Sequence, residues 1–165
     1  MTTSQTTPPT TPRTGNDNWP ELAGRLTEGG QAHVLPVRVY FEDTDFSGLV
    51  YHASYIRWCE RGRSDFLRLK GVNHHELAAA DGSREPAAFV VRRLVVDYLK
   101  PAHIDEVLEV ETKLGELRPA WLTLDQQVKF GGVALMRAKV QVVLVGRSGK
   151  PLRLEPVLKG VFGDI

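Results

Sequence analysis

The chain has 165 residues, with 21 Lys and Arg against 20 Asp and Glu, a formal net charge of +1. That length suits one domain with its own core, and the near-neutral charge excludes a global pull toward nucleic acid or an anionic membrane surface. The single Cys59 excludes an internal disulfide framework and agrees with a reducing compartment.

Residues 1 to about 20 are rich in Thr, Pro, Ser and Asn with almost no apolar content, too little to offset the entropy of ordering them. Residues 1–33 are therefore expected to be a disordered or weakly ordered extension, with at most a short helix around Leu22 and Leu26 before Gly29-Gly30. The domain is expected over 34–165. The amino terminus lacks the basic start and apolar centre of a secretory signal, and no apolar run approaches the roughly 20 residues of a membrane span. A cytoplasmic location is the expectation.

From Val34 to Phe41, the alternation of Val37, Val39 and Phe41 against Arg38 and Tyr40 predicts a half-buried strand. Asp43 to Gly48 breaks it. From Tyr51 the apolar residues Tyr55, Trp58, Cys59, Gly62, Phe66 and Leu69 recur at spacings of three and four, which predicts a helix that stops at Gly71. Its other face carries Arg57, Arg61, Arg63, Asp65 and Arg68. Asn73, with Glu76 three residues later, predicts the cap of a second short helix.

After Pro86 the helical period disappears. Ala88 to Leu99, Val107 to Leu117, Trp121 to Phe130 and Val133 to Val145 read as four long strands in a meander, with a Gly131-Gly132 hairpin turn. One strand, a long helix and four more strands imply an α+β fold, a five-stranded antiparallel sheet that buries one face against the helix.

Two acids, a glycine turn and a histidine at a helix start fall within residues 41 to 55. The run Val37-Arg38-Val39-Tyr40, Glu42-Asp43-Thr44-Asp45, Gly48, Val50-Tyr51-His52 and Tyr55 resembles the active-site segment of the hotdog-fold acyl-CoA thioesterases. It is most similar to their Tol-Pal-associated (YbgC-type) branch, related to 4-hydroxybenzoyl-CoA thioesterase. The likeness continues through Cys59-Glu60-Arg61, Phe89-Val90-Val91-Arg92 and Tyr98-x-x-Pro101-Ala102, covering about residues 35 to 158. It departs from the branch at Leu49, at Phe46-Ser47 and at Gly62, where Ala is usual. Phe46 and Leu49, beside the catalytic loop, bear on acyl preference, not on reaction type.

The resemblance implies the hotdog fold, a long central helix wrapped by the sheet, and thioester hydrolysis without metal or bound cofactor. It assigns the catalytic carboxylate to Asp45 and a second catalytic role to His52, through the ring and through the backbone amide. Direct attack and activation of water by Asp45 both remain open. A helix starting near Tyr51 leaves its first amides without partners, a ready oxyanion hole. The alternative for Asp45 is a loop cap, and for His52 a ring bonded to a backbone carbonyl. Asp43 is expected to bond turn amides ahead of it.

Gly48, Val50, Tyr51 and Tyr55 are the expected substrate-binding positions beside the catalytic pair. Arg92 and Arg118, together with Arg93 and Lys100, are candidates for the phosphates of coenzyme A. Glu60 competes with Asp45, because another hotdog branch carries its carboxylate on the central helix. The expected partners are acyl-CoA, an acyl carrier protein as alternative donor, and a second copy of the chain in a homodimer or dimer of dimers. A calcium loop is rejected because the twelfth position is Ser54, and a transition-metal site because Asp43, Asp45 and His52 lack a fourth ligand. The reading from another class is a non-hydrolytic module of the same fold that binds acyl-CoA or acyl carrier protein.

Overall fold

A computed structural model describes residues 24–79 and 85–162. The expected tail over 1 to about 20 lies outside the described residues.

The chain runs β1 (Arg25–Thr27), β2 (Ala32–Arg38), α1 (His52–Leu69), α2 (His74–Ala78), β3 (Ala87–Tyr98), β4 (Val107–Arg118), β5 (Trp121–Phe130), β6 (Val133–Gly146), β7 (Pro151–Leu152) and α3 (Glu155–Leu158). The five long strands are those expected, and every pairing is antiparallel. Two short strands extend the sheet to seven: β1 lies on β2, and β7 on β6. Residues 25–27, where a short helix was expected around Leu26, thus join the sheet instead, and a 3₁₀ turn at Glu28–Gly30 follows.

The order β1-β2-β4-β5-β6-β3 corrects the simple meander. Of the five long strands, only β4, β5 and β6 follow one another. Strand β3 lies beyond β6 at the opposite edge from β2, so residues 99–106 must cross the sheet end to deliver β4 beside β2. This crossover packs on the start of α1: Val50 N donates to Ala102 O at 3.0 Å, and Ala102 N donates to the Tyr55 hydroxyl at 2.9 Å.

Helix α1 lies on the face formed by β2, β4 and β5. Tyr55, Trp58, Cys59, Phe66 and Leu67 are its buried apolar residues. Burying each large side chain contributes about 1.5–3 kcal/mol. Gly62 allows the close approach: a Cβ there would sit 3.1 Å from both Thr112 Oγ1 and Val110 Cγ1. The buried amide of Gln126 on β5 donates to Cys59 O at 2.9 Å and Thr112 Oγ1 at 2.8 Å, and accepts from Arg63 at 3.0 Å. Arg63 is therefore tied into the helix–sheet seam, not solvated as the helical pattern suggests.

The polar face departs from its pattern at Asp65 too. Asp65 accepts from Gly24 N at 2.6 Å and Arg68 at 2.9 Å, and pairs at 2.7 Å with the fully buried His33. Phe41, expected to face the core, is exposed, because β2 ends at Arg38 and the 3₁₀ turn Phe41–Asp43 swings it outward. Strand β3 is an open edge with Val90, Val91, Leu94 and Val95 exposed.

Candidate active site

The strand-to-helix connection is locked by Asp43. Its buried carboxylate accepts the Tyr40 amide at 3.0 Å and meets Arg57 at 3.5 Å, while its carbonyl accepts the Tyr51 amide at 2.8 Å. Asp43 therefore bonds backward to Tyr40, not forward as expected. The role is structural, since it fixes where α1 begins.

Asp45 follows on an exposed turn. Its amide donates to Leu49 O and its carbonyl accepts from Gly48 N, both at 3.0 Å, and Gly48 takes a φ of 79° that few other residues adopt. Asp45 Oδ1 accepts the Ser47 amide at 2.8 Å and also the Ser47 hydroxyl. The Ser47 hydroxyl and then its amide hold the Asp45 carboxyl below its ordinary value. The loop-cap geometry is present, yet it uses one oxygen only. Oδ2 has no hydrogen-bond partner among the described residues.

Tyr51 is the N-cap of α1, and its side chain makes no capping bond. Of the first helical amides, Ser54 N donates to Tyr51 O at 2.9 Å. The amides of His52 and Ala53 have no acceptor among the described residues. They carry the positive end of an 18-residue helix. The exposed His52 ring packs beside Tyr51 at 4.4 Å between centroids, and edge-on to Tyr98 at 6.3 Å. The Tyr98 hydroxyl donates to His52 O at 3.0 Å. Burial pushes the hydroxyls of Tyr55 and Tyr98 up, so both stay protonated at neutral pH.

His52, Tyr55 and Tyr98 line a cleft of about 320 Å³ together with Leu49, Val50 and Lys100, among others. Of the expected residues, His52, Val50 and Tyr55 line it. Asp45, Gly48 and Tyr51 do not line it: the Asp45 amide bonds Leu49 of the cleft wall, Gly48 turns the same loop, and Tyr51 is the N-cap of α1. Arg92 and Arg118 are not brought to it. Arg92 sits in the β3 bulge six residues before Tyr98, about 20 Å away at strand rise. Arg118 pairs with Trp121 at the same far end and bonds Glu116 at 3.4 Å. Lys100 is the cation at the cleft itself. Sequence reasoning passed over the roles of Ser47 and Tyr98, although the Tyr98-x-x-Pro101-Ala102 likeness already marked the second.

Glu60 lies eight residues along α1 from His52, about 12 Å down the axis. It accepts the Ser64 hydroxyl at 2.8 Å and lines a separate hollow of about 510 Å³ with Arg61, Ser64, Arg68 and His74. Among the described residues, no three His, Cys, Asp or Glu side chains converge as metal ligands. Burial pushes the Cys59 thiol up to about 11, which leaves it a packing group.

Residues 39–162 match the thioesterase-like superfamily. The chain belongs to that family. It is 41% identical over 122 residues to the acyl-CoA thioester hydrolase YbgC of Escherichia coli O6:H1, covering 73% of this chain and 84% of that one. It is 36% identical over 129 residues to the acyl-CoA thioesterase YbgC of Haemophilus influenzae, covering 78% and 92%. Among solved structures, a probable thioesterase from Bartonella henselae superposes with a TM-score of 0.71 at 42% identity, over 74% of this chain and 98% of that one. The 1,4-dihydroxy-2-naphthoyl-CoA thioesterase of Synechocystis, at 18% identity and TM-score 0.70 over 79% and 95%, shares the fold. The hotdog fold of the superfamily is therefore the fold of this chain.

Proposed function

We propose that this chain, an acyl-CoA thioesterase, opens its thioester with Asp45 and the first turn of α1. One observation carries the reading. Asp45, its carboxyl held below the ordinary value with one oxygen unbonded, is tied through its amide to Leu49 of the cleft wall, and the amides of His52 and Ala53 beside that wall have no acceptor among the described residues. A thioester carbonyl seated against those amides gains stabilisation as its oxygen becomes negative, worth about 3–4 kcal/mol per preorganised donor. Asp45 Oδ2 then takes a proton from the water that adds to the carbonyl carbon, or itself attacks to give a mixed anhydride that water opens. In both routes the C–S bond breaks, the acid leaves with the water oxygen, and coenzyme A leaves as the thiol. In this reading the His52 ring passes the proton to the departing sulfur. Lys100 at the cleft holds the phosphates.

The active unit in this reading is at least a dimer. The open β3 edge, with Val90, Val91, Leu94 and Val95 exposed, supports pairing with a second copy. Antiparallel β3–β3 pairing points the Arg92 end of one strand toward the Tyr98 end of the other, which is how Arg92 reaches a cleft it does not reach alone. A dimer of dimers, an acyl carrier protein as alternative thioester donor, a cytoplasmic location and service beside the Tol-Pal machinery belong to the same reading. No described helix is long and apolar enough to cross a membrane.

The second reading places catalysis at Glu60, because Glu60 and Ser64 line the roomier hollow between α1 and α2. Free-thiol release from acetyl-, butanoyl-, octanoyl- and benzoyl-CoA tests hydrolysis directly. Binding without thiol release in every case would instead support the non-hydrolytic module.

A further inference from the structure

The Tyr98 hydroxyl donates at 3.0 Å to a carbonyl 46 residues earlier, that of His52. This carbonyl belongs to the same rigid peptide plane as the Ala53 N–H, since the six atoms of a peptide unit move together. Ala53 N–H is one of the two amides that open without an acceptor at the start of α1. A hydrogen bond to the carbonyl side of a peptide also strengthens the donor on its other side, the cooperativity of bonded chains in a low dielectric. The Tyr51 cap makes no side-chain bond that would serve this purpose.

Tyr98 is itself held. It ends β3 opposite Met136 of β6, and its ring lies edge-on to Tyr55 at 5.8 Å and to His52 at 6.3 Å. Tyr55 is in turn fixed by the Ala102 amide at 2.9 Å. Tyr98 is 47% exposed and lines the cleft, so a purely space-filling role leaves the direction of its hydroxyl unexplained.

We infer that Tyr98 is a positioning residue for thioester hydrolysis: its hydroxyl fixes the His52–Ala53 peptide plane, so that the Ala53 amide points at the substrate oxyanion and donates more strongly. The inference rests on the site reading above and deepens it. Tyr98 acts through the backbone of another residue, and a substrate contact through its hydroxyl is not required.

The test compares Tyr98→Phe with Asp45→Asn in the full chain, using the fastest substrate of the acyl-CoA panel. Phenylalanine keeps both ring contacts and removes only the donor. Losing an oxyanion donor outright costs 10²- to 10³-fold in turnover, so losing its alignment is expected to lower kcat about tenfold. KM, binding of a non-hydrolysable thioether analogue and melting temperature should stay at parent values. If Asp45→Asn is inactive while Tyr98→Phe keeps parental kcat, the Tyr98 inference fails and the site reading stands. A raised KM with kcat kept overturns it in favour of substrate contact, and a lowered melting temperature with kcat per folded site unchanged overturns it in favour of packing. An active Asp45→Asn removes the site reading, and the Tyr98 inference with it.

Discussion

Ser47 donates its backbone amide, at 2.8 Å, and its hydroxyl to the same oxygen of Asp45, Oδ1. These bonds favour the ionised carboxylate and orient it, with no hydrogen-bond partner on its other oxygen among the described residues. Because these bonds favour the charged form, the Asp45 carboxyl lies below its ordinary value. Ser47→Ala removes the larger contribution and should raise it. In the proposed mechanism activity needs the carboxylate, so the acid limb of the pH–rate profile should move to higher pH, with the plateau less affected. Ser47→Thr should restore the parent limb. An unmoved limb in Ser47→Ala would separate Asp45 ionisation from turnover.

The pairing of His33 with Asp65 at 2.7 Å predicts a stability effect without a catalytic one. Burial pushes the Asp65 carboxyl up, but bonds from His33, Arg68 and the Gly24 amide outweigh it and leave the net value lowered. A carboxyl depressed on folding adds stability above its unfolded pKa and loses it as pH falls through the folded value. Asp65→Asn should therefore cost about 2 kcal/mol at neutral pH and flatten the acid-side decline in melting temperature. Parental kcat should remain. Thermal melts from neutral to acid pH, run beside thiol release, check both halves.

Strand β3 carries the prediction about assembly. Leu94→Glu puts a charge at the centre of the exposed edge, where Leu94 pairs with Val140 on its inner side. The isolated subunit should stay folded, because Leu94 is 37% exposed in it. Sedimentation should show loss of the dimer, and activity should fall with it. A fully active monomer would contradict sites completed by a second copy.

Periodicity made α1 and the five long strands legible, because each spans enough residues for a stripe or an alternation to emerge. Strands β1 and β7, of three and two residues, have no period to read and exist through their pairing with β2 and β6. The exposed Phe41 fooled the alternation because a turn can end a strand without changing its composition. The site divided in the same way. Asp45, Gly48 and His52 share one short segment, so chain order alone placed them near one another. Arg92, Arg118 and Lys100 are positioned by sheet register, which sequence does not state: Lys100 came to the cleft and the two arginines went to the far end. His33 was invisible for a related reason. A buried histidine looks like an exposed one until Asp65, 32 residues away, is packed against it.

Asp43 and Asp45 stand two residues apart with different work to do, and Glu60 is the third acid in contention. Turnover and melting temperature measured together for Asp45→Asn, Asp43→Asn and Glu60→Gln rank all three. Asp45→Asn should lower kcat at least about a hundredfold, as loss of a general base or nucleophile does, with fold and affinity kept. Asp43→Asn should lower melting temperature first, because Asp43 holds Tyr40 and Arg57, and Glu60→Gln should be mild. Near-parental turnover in Asp45→Asn together with an inactive Glu60→Gln would contradict the assignment and move the reaction to the hollow between α1 and α2.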